Sequence, residues 1–312
     1  MALSETTSTE PLVEPRVAAA ASVVITWRSL IGDLAVLFKL RVVSLLLFAA
    51  VGGAFIGAGG WPGWGPLLLL LVTGGMAASG ASALNQYLER HSDAAMKRTQ
   101  QRPLVVGRFP ARTVLLVAVG LVLAPVLAVL PFNLPLAIFL LSGALIYVGV
   151  YTIWLKPRTL LNIVIGGAAG SAAVMSGGAA VGSWQEPGVI ILALLVFLWT
   201  PAHFWSLAIL YQDDYRRADV PMLPAQVNGR QAAVWMLVHT LPTGFAAIAL
   251  GLLPALGWLY LLPVSLLTVD LLRRNGRLIR QPDKRNALAF FLASNIYLTV
   301  VILAICLDTA IW

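Results

Sequence analysis

The chain has 312 residues, 59% of them hydrophobic and only 11% charged, where a soluble domain normally carries about 25% charge. That much apolar surface cannot be hidden in one soluble core, which excludes an ordinary water-soluble domain and makes lipid the solvent. The net charge of +8 fits a basic membrane face better than a nucleic-acid partner, and a single cysteine, Cys306, excludes an intrachain disulfide or a cysteine metal cluster.

Residues 1–33 read as a cytoplasmic N-terminal tail, polar and then Ala-rich, in which Glu5, Glu10 and Glu14 precede the first basic residue, Arg16. A signal peptide starts basic and a mitochondrial presequence is acid-poor, so the segment fits neither. Residues 34–312 form one transmembrane domain. Its apolar runs predict nine helices at about 36–58, 65–88, 113–131, 134–153, 160–182, 187–210, 232–252, 255–272 and 287–309, each near the roughly 20 residues that cross the hydrocarbon. The pairs Gly53/Gly57 and Gly166/Gly170 would let helices approach closely. With the tail inside, all 21 Lys and Arg residues fall on inner segments or the adjoining helix ends, while the outer loops carry none. The positive-inside rule therefore puts the N-terminus in the cytoplasm and the C-terminus outside.

Two inner segments do not look like linkers. In the first, Asn85, Glu89 and Asp93 are spaced four apart. At about 100° per residue they drift only about 40° per step, so they share one helix face. Such oxygen donors suit Mg²⁺, which takes one or two carboxylates and completes its shell with substrate phosphates. Lys97, Arg98 and Arg102 follow, and guanidinium groups match phosphate geometry. A solvated helix end with ordinary charge pairs would look the same. The second segment, Tyr211 to Pro224, again gathers carboxylates (Asp213, Asp214, Asp219) and arginines (Arg216, Arg217) at the end of an apolar helix. Four predicted spans separate the two segments, so parity puts both on one membrane face. Two acidic clusters with arginines, converging on one site, can ionise an allylic diphosphate.

At these residues the chain resembles the UbiA-type membrane prenyltransferases and, within them, the protoheme IX farnesyltransferases. The first motif is met by Asn85, Glu89, Asp93, Met96, Arg98, Thr99, Arg102, Pro103 and Leu104, the second by Asp213, Asp214, Tyr215, Ala218, Pro221, Met222, Leu223 and Pro224. Tyr151 to Thr159, Asn162 to Gly167 and Trp199 to Trp205 agree as well, and the likeness covers roughly residues 34–305. His91 stands where many relatives have an acid, Asp219 replaces the usual glycine before Val-Pro-Met, and Ala172 and Ala173 replace a frequent proline pair.

The resemblance implies an all-α bundle of about nine transmembrane helices in a bacterial plasma (inner) membrane, with the active site on the cytoplasmic side. It implies farnesyl transfer from farnesyl diphosphate to a vinyl group of haem B, giving haem O. Glu89 and Asp93, with Asn85 nearby, would hold one Mg²⁺, and Asp213 and Asp214 another. Lys97, Arg98, Arg102, Lys156 and Arg217 would neutralise the departing diphosphate, and Tyr151 and Tyr215 would face the carbocation or bond a phosphate oxygen. His203 would contact haem iron, since His is a frequent axial ligand; a His hydrogen-bonded between helices is the alternative. A haem A synthase or a terminal oxidase would take the product, and no nucleic acid is involved. A UbiA-type enzyme with another acceptor is the nearest rival. A transporter is the rival from another class, but it should carry ionisable groups at the bilayer midplane and on both faces.

Overall fold

The structure is a computed structural model that describes residues 27–311. The tail reading for residues 1–26 lies outside the described residues, and residues 27–33 belong to the first helix. In chain order the elements are α1 (Trp27–Leu37), α2 (Leu40–Ala58), α3 (Trp64–Ala95), α4 (Ala111–Val129), α5 (Leu134–Leu145), a π-helix continuing it (Ile146–Leu155), α6 (Asn162–Gly166), α7 (Ala168–Ala180), α8 (Pro187–Leu210), the short α9 (Gln212–Arg217) and α10 (Leu223–Gln226), α11 (Gly229–Leu250), α12 (Trp258–Arg280) and α13 (Lys284–Ile311). Among the described residues there is no strand.

Eight of these segments are long and apolar enough to cross a membrane. The one expected span outside these eight is the eighth, α12, whose 23 residues suffice in length. Its final turns carry Asp270, Arg273, Arg274, Arg277 and Arg280, which lowers its mean hydropathy below that of its neighbours. The fifth expected span is broken at Gly167 into α6 and α7.

Helix ends are satisfied locally. Asn133 Oδ1 accepts from the Leu136 N–H at 3.0 Å and so caps α5. Asn228 and Gln231 form a reciprocal capping box on α11. Asp308, fully buried near the end of α13, accepts from the Gly257 and Tyr260 N–H groups at 2.5 and 3.1 Å. That places a carboxylate against the positive end of α12.

The bundle packs through small residues. A Cβ on Gly53 would run into the Val174 carbonyl and one on Gly177 into the Ala50 carbonyl, so α2 and α7 touch backbone to backbone. Gly57 meets Gly178 one turn further along. Gly166 faces the Tyr151 ring, 2.8 Å from where its Cβ would lie, and Gly170 faces Val196. The main apolar core joins α8, α11, α12 and α13, with Met236, Tyr260, Phe290 and Tyr297 fully or almost fully buried. Leucines and phenylalanines such as Leu116 and Phe245 face outward, as a lipid-solvated surface requires.

Candidate active site

Asn85, Glu89 and Asp93 lie on one face of the last turns of α3, with exposures of 1, 9 and 3%. A buried carboxylate is costly unless it is paired, and each acid here has a cation. Lys156 Nζ lies 2.5 Å from Glu89 Oε1. Arg102 lies 2.5 Å from Asp93 Oδ2, reaching back because the chain turns directly after α3. The Thr99 hydroxyl donates to the Asp93 carbonyl at 2.9 Å and fixes that turn. Asn85 Nδ2 donates to Thr152 Oγ1 at 2.9 Å, and its Oδ1 accepts from Lys39 Nζ at 2.5 Å.

The π-helix decides which side chains meet this face. In an α-helix, residues five apart would diverge by about 140°. The i→i+5 ladder brings them onto one side, as in the bond from the Lys156 N–H to the Tyr151 carbonyl at 2.8 Å. Tyr147, Tyr151, Thr152 and Lys156 consequently share a face. The two tyrosine rings stack at 5.8 Å with planes 8° apart. The Thr152 hydroxyl donates to the Tyr147 carbonyl at 2.8 Å. Lys156 Nζ sits 5.9 Å from the Tyr151 ring centre.

The segment after α8 closes the other side. The Arg98 N–H donates to Asp214 Oδ2 at 3.2 Å, so the two acidic segments touch directly. Asp214 is buried and its other oxygen pairs with Arg217. The Arg98 guanidinium lies 5.3 Å from the Tyr211 ring centre. Burial pushes the Tyr215 phenol up, and the neighbouring Arg98 guanidinium pulls it back. Asn162 Nδ2 donates to the Pro221 carbonyl at 3.2 Å, tying α6 to the second segment. A cleft of about 310 Å³ opens between Glu89 and Ser92 of α3, Thr152 of the π-helix with Lys156 just beyond it, and Asp219 and Val220 of the second segment.

Other expected residues stand apart from this network. Asp213 points outward, 61% exposed and 3.7 Å from Arg216. Lys97 is exposed, as is His91. His203 is held between the Trp199 and Phe291 rings, at 4.1 and 4.7 Å, with Nδ1 2.7 Å from Ser294 Oγ. His239 packs edge-on against Trp205. Asp219 has φ +51°, which explains physically why a glycine suits that position.

The sequence reading missed Lys39, Gln86, Tyr147 and Thr152. Lys39 lies between α1 and α2 with φ +49°, and its amine also donates to the Tyr147 hydroxyl at 2.9 Å. Its signal was present in the sequence, as a cation inside an expected apolar span. Tyr147 and Thr152 had no such signal, because their facing depends on the π register.

A bundle of membrane helices that brings two acidic segments and several cations to one end of a cleft defines a class. The chain matches the UbiA prenyltransferase family over residues 45–298 and belongs to that family. Within it, the chain is 42% identical to the protoheme IX farnesyltransferase of Thermus thermophilus over 92% of its own length. The chain spans about half that relative, 46% of its length. It is also 42% identical to protoheme IX farnesyltransferase 1 of Saccharopolyspora erythraea, covering 88% of this chain and 89% of the relative. Among solved structures, a digeranylgeranylglyceryl phosphate synthase superposes with a TM-score of 0.76 at 16% identity, over 90% of this chain and 99% of that one. A UbiA homologue from Archaeoglobus fulgidus bound to GPP and Mg²⁺ superposes with a TM-score of 0.63 at 16% identity, over 88% and 99%. At that identity both show the fold alone.

Proposed function

We propose that the protein transfers the farnesyl group of farnesyl diphosphate to a vinyl carbon of haem B, with water adding and diphosphate leaving, to give haem O. The observation that carries this reading is the direct bond between the two acidic segments, from the Arg98 N–H to Asp214, beside the buried Asn85–Glu89–Asp93 face. The names of the full-length bacterial relatives supply the acceptor.

The donor set fits Mg²⁺. Its candidate ligands are all oxygens, from Glu89, Asp93 and Asp214 with Asn85 nearby, while Asp213 would have to turn inward from its exposed position to join them. Among the described residues no three acids or histidines gather closely enough to hold a metal unaided. That agrees with an ion whose remaining ligands are diphosphate oxygens and water. When bound, Mg²⁺ neutralises charge on the leaving diphosphate. The chain does the rest. Arg102 and Lys156 release Asp93 and Glu89 and turn to the diphosphate, with Arg98, Lys97 and Arg217 at the rim. Tyr151 and Tyr215 wall the allylic carbon and exclude water. His203, oriented by Ser294 at Nδ1, offers Nε2 to the haem iron. His203→Phe keeps the aromatic stack and is expected to weaken haem B binding, read as a shift of the Soret band on titration; unchanged binding assigns the ring to packing alone.

We place the site on the cytoplasmic side of a bacterial plasma membrane, with a haem A synthase or terminal oxidase receiving the product. The decisive assay incubates membranes containing the protein with labelled farnesyl diphosphate and haem B, with and without Mg²⁺. Labelled haem O that requires Mg²⁺ is expected. Label on a phenol or quinone precursor, with no haem O, overturns the acceptor and leaves a UbiA-type enzyme of another specificity.

A further inference from the structure

We propose that Lys39 is a diphosphate-binding residue of this site and that Gln86 positions it, a role for both that rests on the prenyl diphosphate reading above. Three cations of the site are committed to carboxylates: Lys156 to Glu89, Arg102 to Asp93 and Arg217 to Asp214. Lys39 forms no ion pair among the described residues. Its amine donates instead to two neutral groups, the Asn85 amide oxygen and the Tyr147 hydroxyl. An ammonium has three donors, so one is left over. A cation inserted among membrane helices with no carboxylate in direct contact is a functional group by default, and the partner that suits it is an anion that arrives with substrate.

The backbone is bent to put it there. Lys39 is in the left-handed region at φ +49° and ψ +47°, which a lysine rarely adopts and which is held only where the surroundings fix it. Gln86 fixes it. Its side-chain amide, 1% exposed, donates to the Val36 carbonyl at 2.6 Å and the Leu37 carbonyl at 2.9 Å. The Val36 carbonyl also accepts from the Lys39 N–H at 3.2 Å, so the amide gathers the end of α1 where the chain turns. Asn85 and Gln86 are neighbours on α3, so one residue meets the Lys39 amine while the next clasps the chain that carries it. The clasp sets where the ammonium stands, between Asn85 and Tyr147.

The test is calorimetric titration of the purified full chain in lipid nanodiscs with inorganic pyrophosphate and Mg²⁺, which reads binding without turnover. Lys39→Met is expected to weaken pyrophosphate about 10- to 100-fold, the range for a lost charge-assisted hydrogen bond, and Lys39→Arg to recover most of it. Gln86→Met should weaken it by less, and the double variant should bind no worse than Lys39→Met alone, because both act through one amine. Wild-type affinity in Lys39→Met, with a lowered melting temperature, makes Lys39 a structural tie and overturns the proposal. Losses that multiply in the double variant overturn the positioning role of Gln86. If Lys39→Met fails to insert, Lys39→Gln, which keeps a donor without the charge, decides on the same criteria. Wild-type protein that does not retain pyrophosphate overturns the diphosphate site itself, and this role with it.

Discussion

Each buried acid of the site is held by a cation before substrate is present, and that sets what a single substitution does. Asp93→Asn preserves shape but leaves Arg102 without its charge partner, and it removes an anionic oxygen from the candidate metal set. Turnover is expected to fall at least about 100-fold, the scale of losing one electrostatic contact in a catalytic site, while the protein still inserts. Haem O formed by isolated membranes, beside an immunoblot for inserted protein, measures it. Asp219 tests a backbone argument. Its left-handed φ costs an Asp about 1 kcal/mol, and a glycine would remove that strain but give back about 0.5–1 kcal/mol in chain entropy. Asp219→Gly is therefore expected to leave the melting temperature nearly unchanged, whereas Asp219→Val, β-branched at positive φ, should lower it by several degrees. The spacing of Asn85, Glu89 and Asp93 was legible because an α-helix turns by a fixed angle. Lys39 was not, because its reach depends on a left-handed residue and on a clasp by Gln86, 49 and 50 positions along the chain from the carbonyls it holds.

At the scale of elements, the apolar runs were legible because hydrocarbon thickness sets helix length, and the glycine pairs because only a missing side chain allows backbone contact. Two features escaped that logic. The break at Gly167 lies within an unbroken apolar stretch. The π-helix has the composition of any membrane helix, and its ladder shows only in three dimensions. Its register carries the site, since it alone brings Thr152 and Lys156 onto the face that Tyr147 and Tyr151 share. Deleting Gly149, whose Cβ position meets nothing within 4 Å, removes the extra residue without removing packing. The segment should then relax to an α-helix and turn Lys156 away from Glu89. Turnover with farnesyl diphosphate and haem B is expected to drop at least about 10-fold, with an unchanged helical circular dichroism spectrum. Wild-type turnover in the deletion variant would sever the link between register and function.

For the whole molecule, the question is which side of the membrane the cleft faces. Helix connections alternate between the two ends of the bundle. One end holds Lys39, the α3 stripe, Lys156 and α9, joined by the bonds already described. The other holds Asn133, whose amide donates to the Ala179 carbonyl at 2.8 Å, and Asp308 of α13, which accepts from the start of α12. Among the described residues every Lys and Arg in a connection lies at the first end, and the cytoplasmic placement proposed above rests on the positive-inside rule applied to that end. The same cations bind the substrate's charged head in the proposed reaction, so orientation and chemistry make a single claim: diphosphate enters from the cytosol while the isoprenoid tail stays in lipid. In a Cys306→Ala background, a cysteine at Phe132, 67% exposed, and one at Val106, 43% exposed, mark the two ends. A membrane-impermeant maleimide added to intact spheroplasts should label Phe132→Cys and spare Val106→Cys, and inside-out vesicles should reverse the pattern. Labelling of Val106→Cys from outside would put the acids and their arginines on the wrong face for a cytosolic diphosphate.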